Sequence, residues 1–142
     1  MPASFRNLLL GLAWATLVPA ALAAARSEPV AIKDPVTVPV MVKLTDSQLR
    51  KAVRAALLNR GWNLENEKPG SLEATLSRRD SRRVHSAKIG VTYDAQQIVV
   101  RYVSSEGFSY DATTKTILPD YNNWMDALAK DLPVYLSLVT SE

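Results

Sequence analysis

From Leu44 onward the apolar positions change period twice, from helical spacing to strict alternation and back to helical spacing. Leu49, Val53, Ala56 and Leu57 recur in steps of three and four, while Arg50, Lys51 and Arg54 face mostly away. That pattern predicts a helix with one buried stripe. Thr45 with Gln48 three residues on forms a capping box, and Leu44 can close on Leu49 as a hydrophobic staple. Gly61 supplies the left-handed position that ends the helix and lets Trp62 fold back on Leu57.

Alternation then takes over. Trp62 and Leu64 share one side of a strand, and Leu72, Ala74 and Leu76 share one side of the next. His85, Ala87, Ile89, Val91 and Tyr93 mark a third strand, and Ile98, Val100 and Tyr102 a fourth. Pro69-Gly70 and Asp94-Ala95-Gln96 read as turns. Links this short predict antiparallel hairpins, because a parallel crossover needs about a dozen residues. Gly107 is placed to bulge the last strand, with Phe108 and Tyr110 resuming alternation beyond it. Tyr121, Trp124, Leu128 and Leu132 restore helical spacing behind Pro119-Asp120, and Pro133 is expected to end or kink that helix. The expected fold is therefore α+β: a two-layer, four-stranded antiparallel sheet with two helices packed on one face, in the order α-β-β-β-β-α.

The segment before Leu44 divides in two. Arg6 precedes an apolar stretch from Leu8 to Val18, and small residues follow through Ala25. Positive charge, apolar core and small residues in that order predict a signal peptide over residues 1–25, with cleavage after Ala25 or after Ala23. An uncleaved anchor is the alternative, although the apolar stretch falls short of the roughly 20 residues of a transmembrane helix. Residues 26–43 carry Pro29, Pro35 and Pro39 and read as an extended leader. Val36, Val38 and Val40 alternate there and could cover a sheet edge, or the leader could be a loose tether. Residues 44–142 then form a single domain, with no stable membrane span once the signal peptide is removed.

Charge narrows the functional classes. Removing Arg6 from seventeen basic residues, against fourteen acidic ones, leaves a net charge of +2. That weak bias argues against nucleic acid as the partner, since such binding depends on many phosphate contacts. The chain has no cysteine, which removes disulfides, cysteine nucleophiles and thiolate metal sites together. No cofactor is expected.

The most conspicuous polar cluster is Arg78, Arg79, Arg82 and Arg83, interrupted by Asp80 and Ser81 and followed by His85. Several guanidiniums on one loop can grip a carboxylate or phosphate through paired hydrogen bonds. The plainer reading is a solvated hairpin connection in which Asp80 neutralises a neighbour. His85 is the only histidine, and no His/Asp/Glu spacing around it matches a metal site. A structural role suits it best, with ligand contact next and general-base catalysis last. Ser104, Ser105 and Ser109 flank Glu106-Gly107 without a nucleophile elbow. Trp62 and Trp124 are expected to anchor helix against sheet. Tyr93, Tyr102, Phe108, Tyr110 and Tyr121 divide between core packing and a groove lining.

The order of residues resembles a family of small uncharacterised bacterial envelope proteins, many of them lipoproteins. The resemblance runs from Leu44 to Leu132 through Ala56-Leu57, Arg60-Gly61-Trp62, Glu67-Lys68-Pro69-Gly70, Ala74 and Leu76. It continues through Arg83 with His85-Ser86-Ala87, Tyr93, Tyr110-Asp111, Pro119-Asp120-Tyr121, Asn122-Asn123-Trp124 and Leu128. It implies a bacterial source and a periplasm-facing α+β domain, here without the acylated cysteine, and carries no activity. The expected function is a non-enzymatic periplasmic binding or adaptor protein of the cell envelope. Its partner would be an envelope protein or an anionic envelope component, engaged through a sheet edge or through Arg78, Arg79, Arg82, Arg83 and His85. The rivals are a small envelope hydrolase using His85 with an acid, and a structural accessory subunit.

Overall fold

A computed structural model describes residues 27–141. The signal-peptide reading of residues 1–25 lies outside them. Two helices and seven strands follow the order β1 (Val30–Ala31), β2 (Val36–Pro39), α1 (Asp46–Asn59), β3 (Asn63–Lys68) and β4 (Ser71–Arg79). Then come β5 (Val84–Tyr93), β6 (Gln97–Glu106), β7 (Thr116–Ile117) and α2 (Pro119–Thr140).

The helix–sheet boundary forms as its residues dictate. The Thr45 side chain accepts the Gln48 N–H while the Gln48 side chain accepts the Thr45 N–H, at 3.1 and 3.0 Å. At the other end Gly61 has φ +89°. Its N–H donates to Leu58 O at 3.0 Å, and the Trp62 N–H donates to Leu57 O at 3.1 Å. This paired C-terminal closure satisfies two carbonyls that would otherwise be orphaned, and it drives Trp62 back under α1. Trp62 is 2% exposed.

The expected four-stranded sheet with order α-β-β-β-β-α is wrong. The main sheet has five strands, ordered β2-β6-β5-β4-β3, and β1 pairs with β7 in a separate two-stranded ribbon. The fifth strand comes from the Pro-containing segment. Val36 and Val38 pair with Val100 and Ile98 on β6, and Pro35 and Pro39 are tolerated because an edge strand need not donate on its outer side. The ribbon was not legible, because two-residue strands carry no alternation to read.

Two further expectations change. The bulge lies at Val103, between the Ile89–Tyr102 and Lys88–Ser104 pairs, not at Gly107. Gly107 instead turns the chain out of β6 at φ +78°, where a Cβ would sit 2.4 Å from Val84 O. Pro133 does not end α2, which runs on to Thr140. An interior proline costs roughly 3 kcal/mol. Continuing the helix buries Leu136 and Val139, and a buried aliphatic side chain contributes about 1.5–3 kcal/mol.

Both helices join the inner sheet residues in one core: Leu49, Val53 and Leu57 of α1 and Met125, Leu128 and Leu132 of α2 with Leu72, Leu76, Ile89, Val91 and Val100. The helices run oppositely, since Gln48 Nε2 reaches Val139 O and Arg60 pairs with Asp131. Aromatic rings cross this layer in a chain: Trp62–Trp124 at 6.0 Å, Trp124–Phe108 at 5.0 Å, Phe108–Tyr121 at 6.1 Å and Tyr121–Tyr102 at 5.5 Å. Among the described residues, no helix is long and apolar enough to cross a membrane.

Asn122 fastens the chain ahead of β2 to α2. Its Nδ2 donates to Ala31 O and its Oδ1 accepts the Lys33 N–H, both at 2.9 Å. Lys33 adds an ion pair with Asp126 at 2.6 Å. Replacing Asn122 by alanine removes both backbone partners, and the midpoint of urea unfolding should fall by an amount corresponding to about 1–3 kcal/mol. Asn122→Asp should recover little, because its carboxylate would face the Ala31 carbonyl.

The fully buried Tyr121 carries the one sealed polar side-chain atom without a hydrogen bond among the described residues. Burial, then the charge of Asp34, pushes its hydroxyl well above the ordinary 10.0. The fold thus favours the protonated form. Stability from this group is complete below pH 10.0 and is lost as pH rises from there, by up to about 1.4 kcal/mol per pH unit. Tyr121→Phe should be at least as stable as the parent at neutral pH and should lose stability less steeply above that pH, as read by denaturant titrations across the alkaline range.

Candidate functional site

The side chains at the far end of the β4–β5 hairpin are aimed by the same alternation that builds the core. Leu72, Ala74 and Leu76 face inward, so Arg78 does too. Val91, Ile89 and Ala87 face inward from the partner strand, so His85 follows. Arg78 and His85 stand directly opposite one another, and Arg79 opposes Val84. Apolar side chains fill the layer only as far as Leu76 and Ala87, and beyond them the inward face turns polar.

Asp80 makes the turn between the strands. Its N–H donates to Arg83 O at 3.1 Å. Its Oδ1 accepts the N–H groups of Arg82 and Arg83 at 3.0 and 2.9 Å. These two backbone bonds hold its carboxyl below the ordinary value, with smaller help from the charges of His85 and Arg83. Asp80 is thus engaged by backbone rather than by guanidinium. None of Arg78, Arg79, Arg82 and Arg83 has an ion-pair partner among the described residues. Arg78 Nη2 donates to the Arg60 carbonyl at 2.9 Å.

The five sequence-predicted residues are only partly convergent. Arg78 and His85 point to the helix side, Arg79 to the outer side, and Arg82 and Arg83 occupy the tip. His85 is largely covered: its ring lies 5.3 Å from that of Phe108, and its Nδ1 stands 3.8 Å from Asp80 Oδ2. No hydroxyl hydrogen-bonds it among the described residues.

Three open clefts surround this end. One of about 200 Å³ is lined by Arg78, Arg79, Asp80, His85, Phe108, Asp120 and Trp124. A second, of about 180 Å³, is lined by Arg60, Trp62, Leu76, Arg78, Trp124 and Ala127. Arg78 and Trp124 belong to both, so they form the wall between the two. A third, about 270 Å³, spans Arg79 to Val84 around the tip. Sequence reasoning did not bring Arg60, Phe108, Asp120 or Trp124 to this site. Asp120 and Trp124 were accessible to it as neighbours four apart on one helix face; Arg60 was not, because its place depends on how α1 meets α2. Among the described residues no group of three or more His, Cys, Asp or Glu side chains could hold a metal ion.

No protein-family model matches the chain, and no curated protein matches it.

The turn is testable by titration. The backbone bonds to the Asp80 carboxylate stabilise the turn above the ordinary carboxyl value of 3.8 and are lost as pH falls through the lower folded value. In nitrogen–proton spectra the Arg82 and Arg83 amide signals should move together with a midpoint below 3.8. In Asp80→Ala that transition should be absent, and its persistence there would show that another group holds the turn.

Proposed function

We propose that this protein is a non-enzymatic binding or adaptor protein of the bacterial cell envelope, exported to the periplasm, that engages an anionic envelope component through the β4–β5 hairpin. One observation carries the reading: four guanidiniums on one short hairpin have no ion-pair partner within the described chain. Some cations elsewhere are paired within the chain. Lys88 lies between Glu65 and Glu73 at 3.1 and 3.7 Å, and Arg60 binds Asp131 at 2.5 Å. Four open cations gathered on one hairpin suit an external acid.

The sheet edges offer less. Pro35 and Pro39 interrupt the donors of β2, and β3 is irregular between Glu65 and Lys68, with Asn66 at φ +49°. Both are devices that discourage strand addition. The hydrolase reading needs a nucleophile beside His85, and among the described residues no hydroxyl hydrogen-bonds its ring, which lies by Asp80 and Phe108. The resemblance to small envelope proteins in residue order supports the same location.

Changing Arg78, Arg79, Arg82 and Arg83 together to glutamine should preserve the circular dichroism spectrum and weaken sedimentation with isolated envelopes. Raising salt should weaken the parent in the same assay, because exposed charges are screened over about 8–10 Å at 0.1–0.15 M ionic strength. Equal sedimentation of a folded quadruple variant would defeat the hairpin as the binding surface.

A further inference from the structure

We infer that the cleft between Arg78, Trp62 and Trp124 is a binding site for a single oxyanion, carboxylate or phosphate, carried on an apolar or ring-shaped body. This rests on the binding reading above and adds a second, deeper position to it. The lining of Arg60, Trp62, Leu76, Arg78, Trp124 and Ala127 contains donors and apolar walls but no carboxylate.

The donors differ in how far they are already used. Arg60 is spent, with Nε and Nη2 on the two oxygens of Asp131 at 2.5 and 3.1 Å. Arg78 uses Nη2 on the Arg60 carbonyl and keeps the rest of its planar fork, held in place by that bond. The indole N–H groups of Trp62 and Trp124 have no hydrogen-bond partner among the described residues, and neither is sealed from solvent. For Trp62 this is unusual, since only 2% of the residue is exposed. A tryptophan so deeply buried ordinarily finds an acceptor for its N–H. Trp62 lines the cleft, so an acceptor bound there can take up this N–H.

An oxyanion meets these donors best, because a guanidinium binds carboxylate or phosphate through two parallel bonds. Trp124 and Leu76 supply the wall for its apolar part. One open guanidinium fork matches one oxyanion. Beyond Trp124 the neighbouring cleft sets Asp80 and Asp120 beside Arg79 and His85, so its cations are offset by carboxylates that accept from hydroxyl or amine donors. A ligand crossing Trp124 would therefore place its acid at Arg78 and its uncharged or donor-bearing end toward the two aspartates.

Benzoate, phenyl phosphate, benzyl alcohol and vesicles containing phosphatidylglycerol should be titrated into the full nitrogen-15-labelled chain while the indole N–H signals are followed. Benzoate and phenyl phosphate should move the Trp62 and Trp124 signals saturably, and benzyl alcohol at the same concentration should not. Arg78→Gln should weaken the effect at least about tenfold, as loss of a charge-assisted pair requires. Arg78→Lys should retain part of it, and the Arg82→Gln/Arg83→Gln double variant should bind both probes like the parent. The inference is overturned if neither probe moves the indoles at about 10 mM, if benzyl alcohol acts equally, or if Arg78→Gln titrates unchanged. Indole shifts with vesicles but with neither soluble probe would assign the cleft to a membrane surface and also overturn it. Should the probes fail while envelope sedimentation still depends on Arg82 and Arg83, the cleft falls and the hairpin reading stands.

Discussion

Because Leu76 stands opposite Ala87 across β4 and β5, the face of every side chain farther along that hairpin is decided before the helices are considered. A slip of one residue would turn Leu72, Ala74 and Leu76 outward and leave their places to Glu73, Thr75 and Ser77. The apolar residues forbid that slip, and the tight Asp80 turn closes the hairpin in the same register. The alternation does not stop where the core stops. It carries Arg78 and His85 to the helix side, where Phe108 covers His85 and Arg78 lines an open cleft. Function, on this view, sits where a packing rule outlasts the packing.

The opposite flank depends on a polar group. Asn122 lies 8% exposed on α2 and presents its amide to Ala31 and Lys33 as a neighbouring strand would, accepting one backbone bond and donating another. The Asp34 carboxylate then accepts the Tyr102 N–H at 3.1 Å, just ahead of the β2–β6 ladder. Side chains thus stand in for backbone between the β1–β7 ribbon and the five-stranded sheet. The unbonded Tyr121 hydroxyl lies beneath this junction, near enough to Asp34 to feel its charge. Ring burial in the aromatic chain outweighs the cost of that one hydroxyl, which is why the site is tolerable.

Much of this could be read from residue order, for identifiable reasons. The Thr45–Gln48 box, the Gly61 stop and the alternating runs act within a few residues, so their geometry is carried locally. Elements that form only through distant partners were harder to place: the alternation of Val36, Val38 and Val40 offered a sheet edge beside a loose tether, without naming the partner strand. β2 pairs with residues some sixty positions away, and the ribbon spans a longer gap still. Of the two outcomes open at Pro133, ending or kinking, the helix does not end, because the local penalty is smaller than the burial of Leu136 and Val139 behind it. The site divides along the same line. Arg78 and His85 were nameable as a cluster, yet their meeting with Trp124 needed strand faces and helix placement together. Arg60 enters only through the antiparallel approach of α1 and α2, which no local pattern specifies.

The distribution of charge, more than its sum, sets the hairpin apart. A net charge of +3 for the full chain steers little, and on the outer sheet face Lys88 is matched by Glu65 and Glu73. On α1, Arg50 and Arg54 share Glu67. The hairpin tip differs, since the one carboxylate there, Asp80, is occupied by the N–H groups of Arg82 and Arg83. That arrangement makes the turn and the charge cluster a single object. Asp80 keeps the tip folded by bonding backbone, and in doing so leaves the guanidiniums beside it uncompensated. Substituting Asp80 would therefore loosen the loop and raise its positive charge together, so binding effects at Asp80 have to be weighed against shape. The Arg78 fork is free of that ambiguity, anchored by the Arg60 carbonyl on a regular strand, and it is the cation at this end whose charge can be changed while the turn is left as it is.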